Sequence, residues 1–325
     1  MVAKIRQHLQ PGIYILLRTG YNNLIYLKPG VALTTYIDML YFHAKITLTV
    51  KIIGLLIGFF CMFSASAQTT LQPMGARYLA LGAYTQNGLD VYAAKANAAS
   101  MAGLKQSGVS AYAERRFGLD NMNLYTFSSA FVTGSGTIGI HGAYLGFAES
   151  NQTQMTLAYG RKITETIEVG GSFHYHNLRQ AGIYGNSSAI TGSASMRIKL
   201  SDKITAGLNL FNPVRATWSK TTNERLPVRY TLGLGYDASE KFFITTELEK
   251  EEGQNLNVNL GFQYSILPEL FFRGGIATQT SNYFGGIGLK LKDFRIDIAT
   301  SYHPQLGLTP GVLLLMNLGK QKQEN

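Results

Sequence analysis

From about Val109 to Leu318 the chain is written in segments of roughly ten residues that alternate apolar and polar side chains. In the stretch Val228 to Asp237, one parity reads Val, Tyr, Leu, Leu, Tyr and the other Arg, Thr, Gly, Gly, Asp. Leu256 to Ser265 and Phe294 to His303 repeat the pattern. A period of two places each set on its own face of a β-strand. Apolar, aromatic-capped residues on one face and polar, glycine-rich residues on the other, repeated through turns, predict strands that separate lipid from a polar lumen. The expected fold is therefore all-β, a transmembrane antiparallel β-barrel. Mean hydropathy close to zero suits such a wall, because its two faces average out.

Fourteen segments follow the pattern: 108–116, 122–133, 136–148, 152–163, 165–177, 187–200, 203–212, 227–237, 240–251, 255–266, 269–279, 282–292, 293–303 and 309–319. An even count puts both ends of the barrel domain (108–319) on one side of the membrane. The turns agree. Gly134-Ser135, Thr164, Ser201-Asp202, Ala238-Ser239, Leu267-Pro268 and Lys292-Asp293 follow even strands and are tight. The two longest connections, near 178–186 and 213–226, follow odd strands. Residues 68–107 lack strand periodicity and contain alanine-rich segments, which predicts a hatch or plug in the lumen, with a tail outside the barrel as the alternative. Residues 320–325 form a polar C-terminal tail.

Upstream, Lys51, the apolar run Ile52 to Phe63 and Ser64-Ala65-Ser66-Ala67 make up a signal peptide over 50–67, with cleavage after Ala67. The apolar run is too short to cross a bilayer as a helix, which takes about 20 residues. A lipid-modified Cys61 is the weaker alternative, given the bulky Phe59-Phe60 before it. A signal peptide belongs at a chain start, so residues 1–49 are expected to be a mis-assigned upstream extension. Val50 is then the start, or Met39 as second choice; the alternative is a real extension with an uncleaved anchor. The 67-residue leader carries six of the 29 Lys/Arg and one of the 19 Asp/Glu, so the formal +10 falls to about +5 downstream. With no basic–aromatic cluster either, nucleic-acid binding is not expected. Cys61 is the single cysteine, which rules out disulfides and thiolate metal sites downstream.

Gly75-Ala76-Arg77, Ala80-Leu81-Gly82, Asp90-Val91-Tyr92-Ala93-Ala94, Asn97-Ala98-Ala99 and Ala102-Gly103-Leu104 together resemble the start of FadL-like barrels, closest to the PorV/PorQ-type branch. Leu226-Pro227, Glu247-Leu248-Glu249-Lys250 and Tyr302-His303-Pro304-Gln305-Leu306-Gly307 add to the resemblance, which spans most of 75–318. The family's Asn-Pro-Ala motif has Ala98 in place of proline, and the final strand lacks a terminal aromatic. The resemblance implies fourteen strands, an N-terminal hatch marked by Gly75, Ala76, Arg77, Asp90 and Asn97, and the outer membrane of a Bacteroidetes-like Gram-negative bacterium. It implies two kinds of function. One is a non-enzymatic accessory to type IX-like protein secretion or surface attachment, with secreted proteins or secretion components as partners; this is the first expectation. The other is a FadL-like channel for hydrophobic small molecules.

Candidate chemistry is sparse. Gly134-Ser135-Gly136-Thr137-Ile138-Gly139 fits a dinucleotide motif in spelling, but strands flank it on both sides, so it reads as a hairpin turn. His174 and His176 share a face with Ser172, and His141 points to the polar face too. No third ligand stands at a metal-site spacing, so hydrogen bonding to the hatch is the preferred role. Arg229, Asp237, Glu247, Glu249, Arg273, Lys290, Arg295 and Asp297 fall on the polar face, where buried charges need partners or water. Glu247 is expected near Arg229, and Arg295 near Lys290 or Arg273. Inward Gly233, Gly235, Gly286 and Gly288 are expected to leave the lumen open. Arg215 and Trp218 in the long 213–226 loop suit a partner anchor or, for the tryptophan, a membrane-interface belt. No Ser/His/Asp order or loop carboxylate pair supports an enzyme, and no cofactor is expected.

Overall fold

The computed structural model describes residues 81–182, 185–219, 224–279 and 282–319, and the backbone of Ile15–Arg18 and Leu24–Leu27. The signal peptide, Gly75, Ala76, Arg77 and the polar tail lie outside the described residues. The chain divides into Met1–Ser64 and Ala65–Asn325. In the first unit Ile15–Arg18 pairs antiparallel with Leu24–Leu27.

The second unit is an all-β, closed antiparallel barrel of fourteen strands. They are β1 (Ser107–Arg115), β2 (Asn123–Val132), β3 (Thr137–Gly146), β4 (Asn151–Lys162), β5 (Ile167–Arg179), β6 (Asn186–Lys199), β7 (Ile204–Phe211), β8 (Arg229–Ser239), β9 (Phe242–Glu251), β10 (Asn257–Ser265), β11 (Leu270–Ala277), β12 (Asn282–Leu291), β13 (Phe294–His303) and β14 (Gly307–Leu318). Each pairs with its sequence neighbour, and β14 closes on β1 through partners such as Leu313 and Tyr112. Closure satisfies every strand edge, which an apolar surrounding requires.

The expected face assignment holds throughout β8. Leu232 is 46% exposed and Thr231 only 7%. Tyr230 and Tyr236 are exposed on either side of Leu232 and Leu234, an aromatic pair bracketing an apolar band. Phe127, Leu157, Phe173, Phe262 and Ile298 continue the exposed apolar surface on other strands.

Boundaries shift where local hydrogen bonds compete with the ladder. Thr164 Oγ1 accepts from the amide of Ile167 at 3.0 Å, so a turn holds 163–166 and β5 starts two residues late. Leu226 and Pro227 are not part of β8. Pro227 has no amide proton for the ladder, and both carbonyls accept from Asn212 Nδ2, at 2.6 and 3.4 Å. The expected turn at Ala238-Ser239 is displaced: the β8–β9 register shifts between Asp237 and Ser239, carrying the strand on to Ser239.

Candidate functional site

Residues 81–106 line up against inward-facing side chains. They form 3-10 turns at Leu81–Tyr84 and Ala98–Gly103, with a single α-turn, Ala93–Ala96, between them. Ala93, Ala94, Ala98 and Ala99 are buried, and such small side chains let backbone lie directly on the wall. The wall is shaped to receive them. A Cβ on Gly160 or Gly170 would strike the backbone of Ala98 or Ala99. A Cβ on Gly233 or Gly235 would strike the ring or the carbonyl of Tyr84. Here the structure corrects the sequence expectation: Gly233 and Gly235 do not open the lumen but seat Tyr84. Gly288 likewise lies beneath the Phe271 ring, over which Arg273 and Lys290 sit at 4.7 and 5.5 Å.

Polar contacts fix the segment to strands all around the barrel. Tyr84 donates to Glu247 at 2.9 Å. The amides of Gln86 and Asn87 donate to Asp237 at 2.8 and 3.3 Å. Asp90 pairs with Arg295 at 2.8 Å. Ser128 donates to the Val91 carbonyl at 2.8 Å, and Lys95 to Gln154 at 3.0 Å. Asn97 donates to the Leu208 carbonyl at 3.1 Å while accepting from Ser100, and Ser195 accepts from the Ala99 amide at 2.9 Å.

The expected charge pairings need revision. Glu247 is near enough to act on Arg229 as a charge, as expected, but it is not its ladder partner. The β8–β9 register sets Glu247 opposite Gly233 and Arg229 opposite Glu251. Arg229 bonds Glu251 at 2.7 Å and approaches Glu249 at 3.7 Å, whereas Glu247 takes hydrogen bonds from Tyr84 and Asn259. Arg295 does stand opposite Lys290, but its hydrogen bond goes to Asp90 at 2.8 Å, and Asp297 lies beside it as an ion-pair partner at 3.3 Å. Arg273 completes this network through Asp297 at 3.2 Å and Gln263 at 2.6 Å.

The three histidines are buried and inward. Register places His141, Thr156, His174 and Thr191 in one row across β3 to β6. His174 is held by Thr156 at 2.8 Å and Ser193 at 2.7 Å. His141 meets the Tyr92 ring edge-on at 6.0 Å, and neither of its nitrogens has a partner among the described residues. Among those residues no three His, Cys, Asp or Glu side chains group as a metal site would require. Trp218 lies in a short pairing of Thr217–Ser219 with Glu224–Arg225. Its ring packs edge-on against His176 at 6.0 Å, beside Phe211, so it is a lumen-mouth residue and not a belt residue. Arg215 is exposed and pairs with Glu252 of the next loop at 3.0 Å.

Sequence reasoning missed Tyr84, Lys95 and the buried Arg197–Glu168 pair at 2.6 Å. Arg197 and Glu168 could have been found from the alternation in β5 and β6. Tyr84 carried no local signal.

Each inward arginine of this network, and Lys95, has a carboxylate or amide beside it, so the site is suited to holding a segment in place, with aromatic rings at the mouth above it. Among solved structures, the chain is similar to the CymD monoaromatic hydrocarbon channel, with TM-score 0.53, 11% identity, and 71% of this chain and 94% of that chain covered. It is similar to the TodX deltaS2S3 mutant monoaromatic hydrocarbon channel, with TM-score 0.50, 11% identity, and 70% and 95% covered. It also aligns with the Ralstonia pickettii toluene transporter TbuX at TM-score 0.49 and 12% identity, over 71% and 94%. No protein-family model matches the chain, and no curated protein matches it. At these identities the likeness is one of fold, to the barrels of two monoaromatic hydrocarbon channels, and the PorV/PorQ-type identity is not shown.

Proposed function

We propose that this chain is an outer-membrane channel for hydrophobic small molecules, non-enzymatic, with residues 68–107 as its hatch. The observation that carries the reading is the way the lumen is filled. Residues 81–104 rest on glycine seats and are held by separate hydrogen bonds and ion pairs, an arrangement that can release without unpairing a strand. The fold likeness to two monoaromatic hydrocarbon channels supports the same reading and suggests monoaromatic hydrocarbons as the first ligands to test. Outside the hatch, Phe211, Trp218 and His176 give the mouth a ring-lined surface where such a molecule is received.

Trp218 is the single tryptophan and reports on that mouth. Titrating detergent-purified protein with toluene should give a saturable change in its fluorescence. A linear, unsaturable response like that of free tryptophan in the same micelles would overturn the reading.

A second reading, an accessory role in protein secretion or surface attachment, is favoured by one observation: the described inward face is dominated by paired charges and hydroxyls rather than a continuous apolar path. On that reading the Arg215 and Trp218 loop meets the partner. A secreted protein co-purifying with the barrel, together with no toluene response, is its expected signature.

A further inference from the structure

The end of the barrel at which the chain enters β1 carries a cleft of about 580 Å³. Lys105, at the end of the packed segment, lines it together with Arg161, Lys162 and Lys199, at the ends of β4 and β6. Two carboxylates stand close by. Glu168 is taken by the fully buried Arg197, and Glu165, on the exposed turn, by Lys162 at 2.6 Å. Among the described residues, five basic side chains stand against two acidic ones, an excess of three positive charges around one cavity.

Neutral donors face the same space. Gln86 lines the cleft, and its buried Nε2 has no partner among the described residues. The β2–β3 turn lines it as well, and the amides of Gly134, Ser135 and Gly136 donate to no protein acceptor among the described residues. This is the glycine-rich stretch whose spelling suggested a dinucleotide loop. Its setting between two strands excludes that motif, yet its exposed backbone still offers donors to an anion. Cations and amide donors converging on a cleft of this size match the chemistry that binds anionic groups.

We propose that this cleft is a binding site for a doubly charged phosphate group. An excess of three positive charges is more than a single carboxylate neutralises, while a phosphate monoester offers two charges and three acceptor oxygens. The phosphate could arrive on a lipid headgroup of the adjoining leaflet or on a soluble compound; the chemistry at the cleft is the same. The site is independent of whether the lumen conducts hydrocarbons.

Calorimetric titration of the full chain in an uncharged detergent at low ionic strength tests it, with inorganic phosphate as probe and acetate as control. Saturable phosphate binding is expected, weakened about tenfold in a Lys105→Gln/Lys199→Gln double variant. It should be unchanged in Lys203→Gln, which alters a lysine at the same end of the barrel but outside the cleft. Heat-modifiable mobility on gels verifies that each variant is folded. Absence of saturable binding, equal affinity for acetate, or equal affinity in the double variant and Lys203→Gln would each overturn the proposal. Repeating the titration in nanodiscs separates the sources. Phosphate binding blocked by phosphatidic acid, whose headgroup is a phosphate monoester, but not by phosphatidylcholine assigns the site to a lipid headgroup; binding retained in both assigns it to a soluble phosphate compound.

Discussion

Gly235→Val should expel the packed segment and leave the barrel standing. Gly235 lies opposite Thr245 and Thr205 in a regular part of the sheet, where a β-branched residue suits the strand. Its missing Cβ, however, is where the Tyr84 carbonyl lies, and a side chain there would also come within 2.9 Å of Thr85 Cγ2. The obstacle is backbone on the segment's side, so it cannot be relieved by turning a flexible side chain. Displacing Tyr84 exposes a fully buried ring, worth roughly 2 kcal/mol, and breaks its charge-assisted hydrogen bond to Glu247, worth roughly another 2 kcal/mol. A loss of about 4 kcal/mol lowers the packed population by a factor of about a thousand. Two assays read this. Conductance in planar bilayers should rise from near zero to a steady open level, and trypsin should cut after Lys95, which the packed state hides. Gly142→Val is the control, since Gly142 faces outward with no atom near its Cβ position. If Gly235→Val stays closed, protects Lys95 and still runs as a heat-modifiable barrel, then Tyr84 does not seal the lumen and the reasoning is wrong.

Other consequences follow from the same geometry. Leu232→Arg places a charge in the lipid-facing band and should lower barrel stability in urea by about 2–4 kcal/mol, whereas Thr231→Arg points inward beside Glu249 and should cost far less; equal damage would mean the faces are misassigned. Asp90→Asn removes one anion from a buried network and should loosen the segment by about 3–5 kcal/mol, seen as faster trypsin cleavage at Lys95, with Arg295→Gln adding little in the double variant. Lys95 lies on the packed segment, off the spanning strands, where burial above all, then Arg229, pushes its ammonium down to about 7, against a smaller raising effect of Glu249. The released segment, with its lysine near 10.5, binds more protons across that window, so packing should strengthen as pH rises from about 7 to 10.5 and be weakest below 7. Open-channel conductance should therefore fall between pH 7 and 9.5, and Lys95→Met should remove the dependence.

The two layers of this molecule were unequally legible. The wall is a local code: a two-residue period decides which way each side chain points, so strand number, facing and the inward placement of His141, His174, His176 and Arg229 could be read from sequence. Partnerships across the lumen are not local. Tyr84 and Glu247 lie 163 positions apart, and their bond depends on where an irregular segment comes to rest. That Arg229 pairs across the ladder with Glu251, with Glu247 a nearby further charge, is a matter of register that the turn at Glu240 and Lys241 and the irregularity before it decide. The placement of Trp218 against His176 could not be read locally, because its loop folds back toward the mouth through Asn212 and its bonds to Leu226 and Pro227.

One further signal was present and needed the register to be seen. Gly160 stands directly opposite Gly170, and Gly207 directly opposite Gly233, all on the inward face. Each pair removes side chains from two adjoining strands at one height, and each is a seat: the first for Ala98 and Ala99, the second for Tyr84. Gly274 opposite Gly285 has the same spelling but the outward parity, and its nearest neighbour is Phe262 on the outer face. Glycine weakens a strand, so a sheet that places two together facing inward must recover the loss through what packs there. Paired inward glycines in a barrel sequence are therefore better read as the imprint of an inserted segment than as a widened pore.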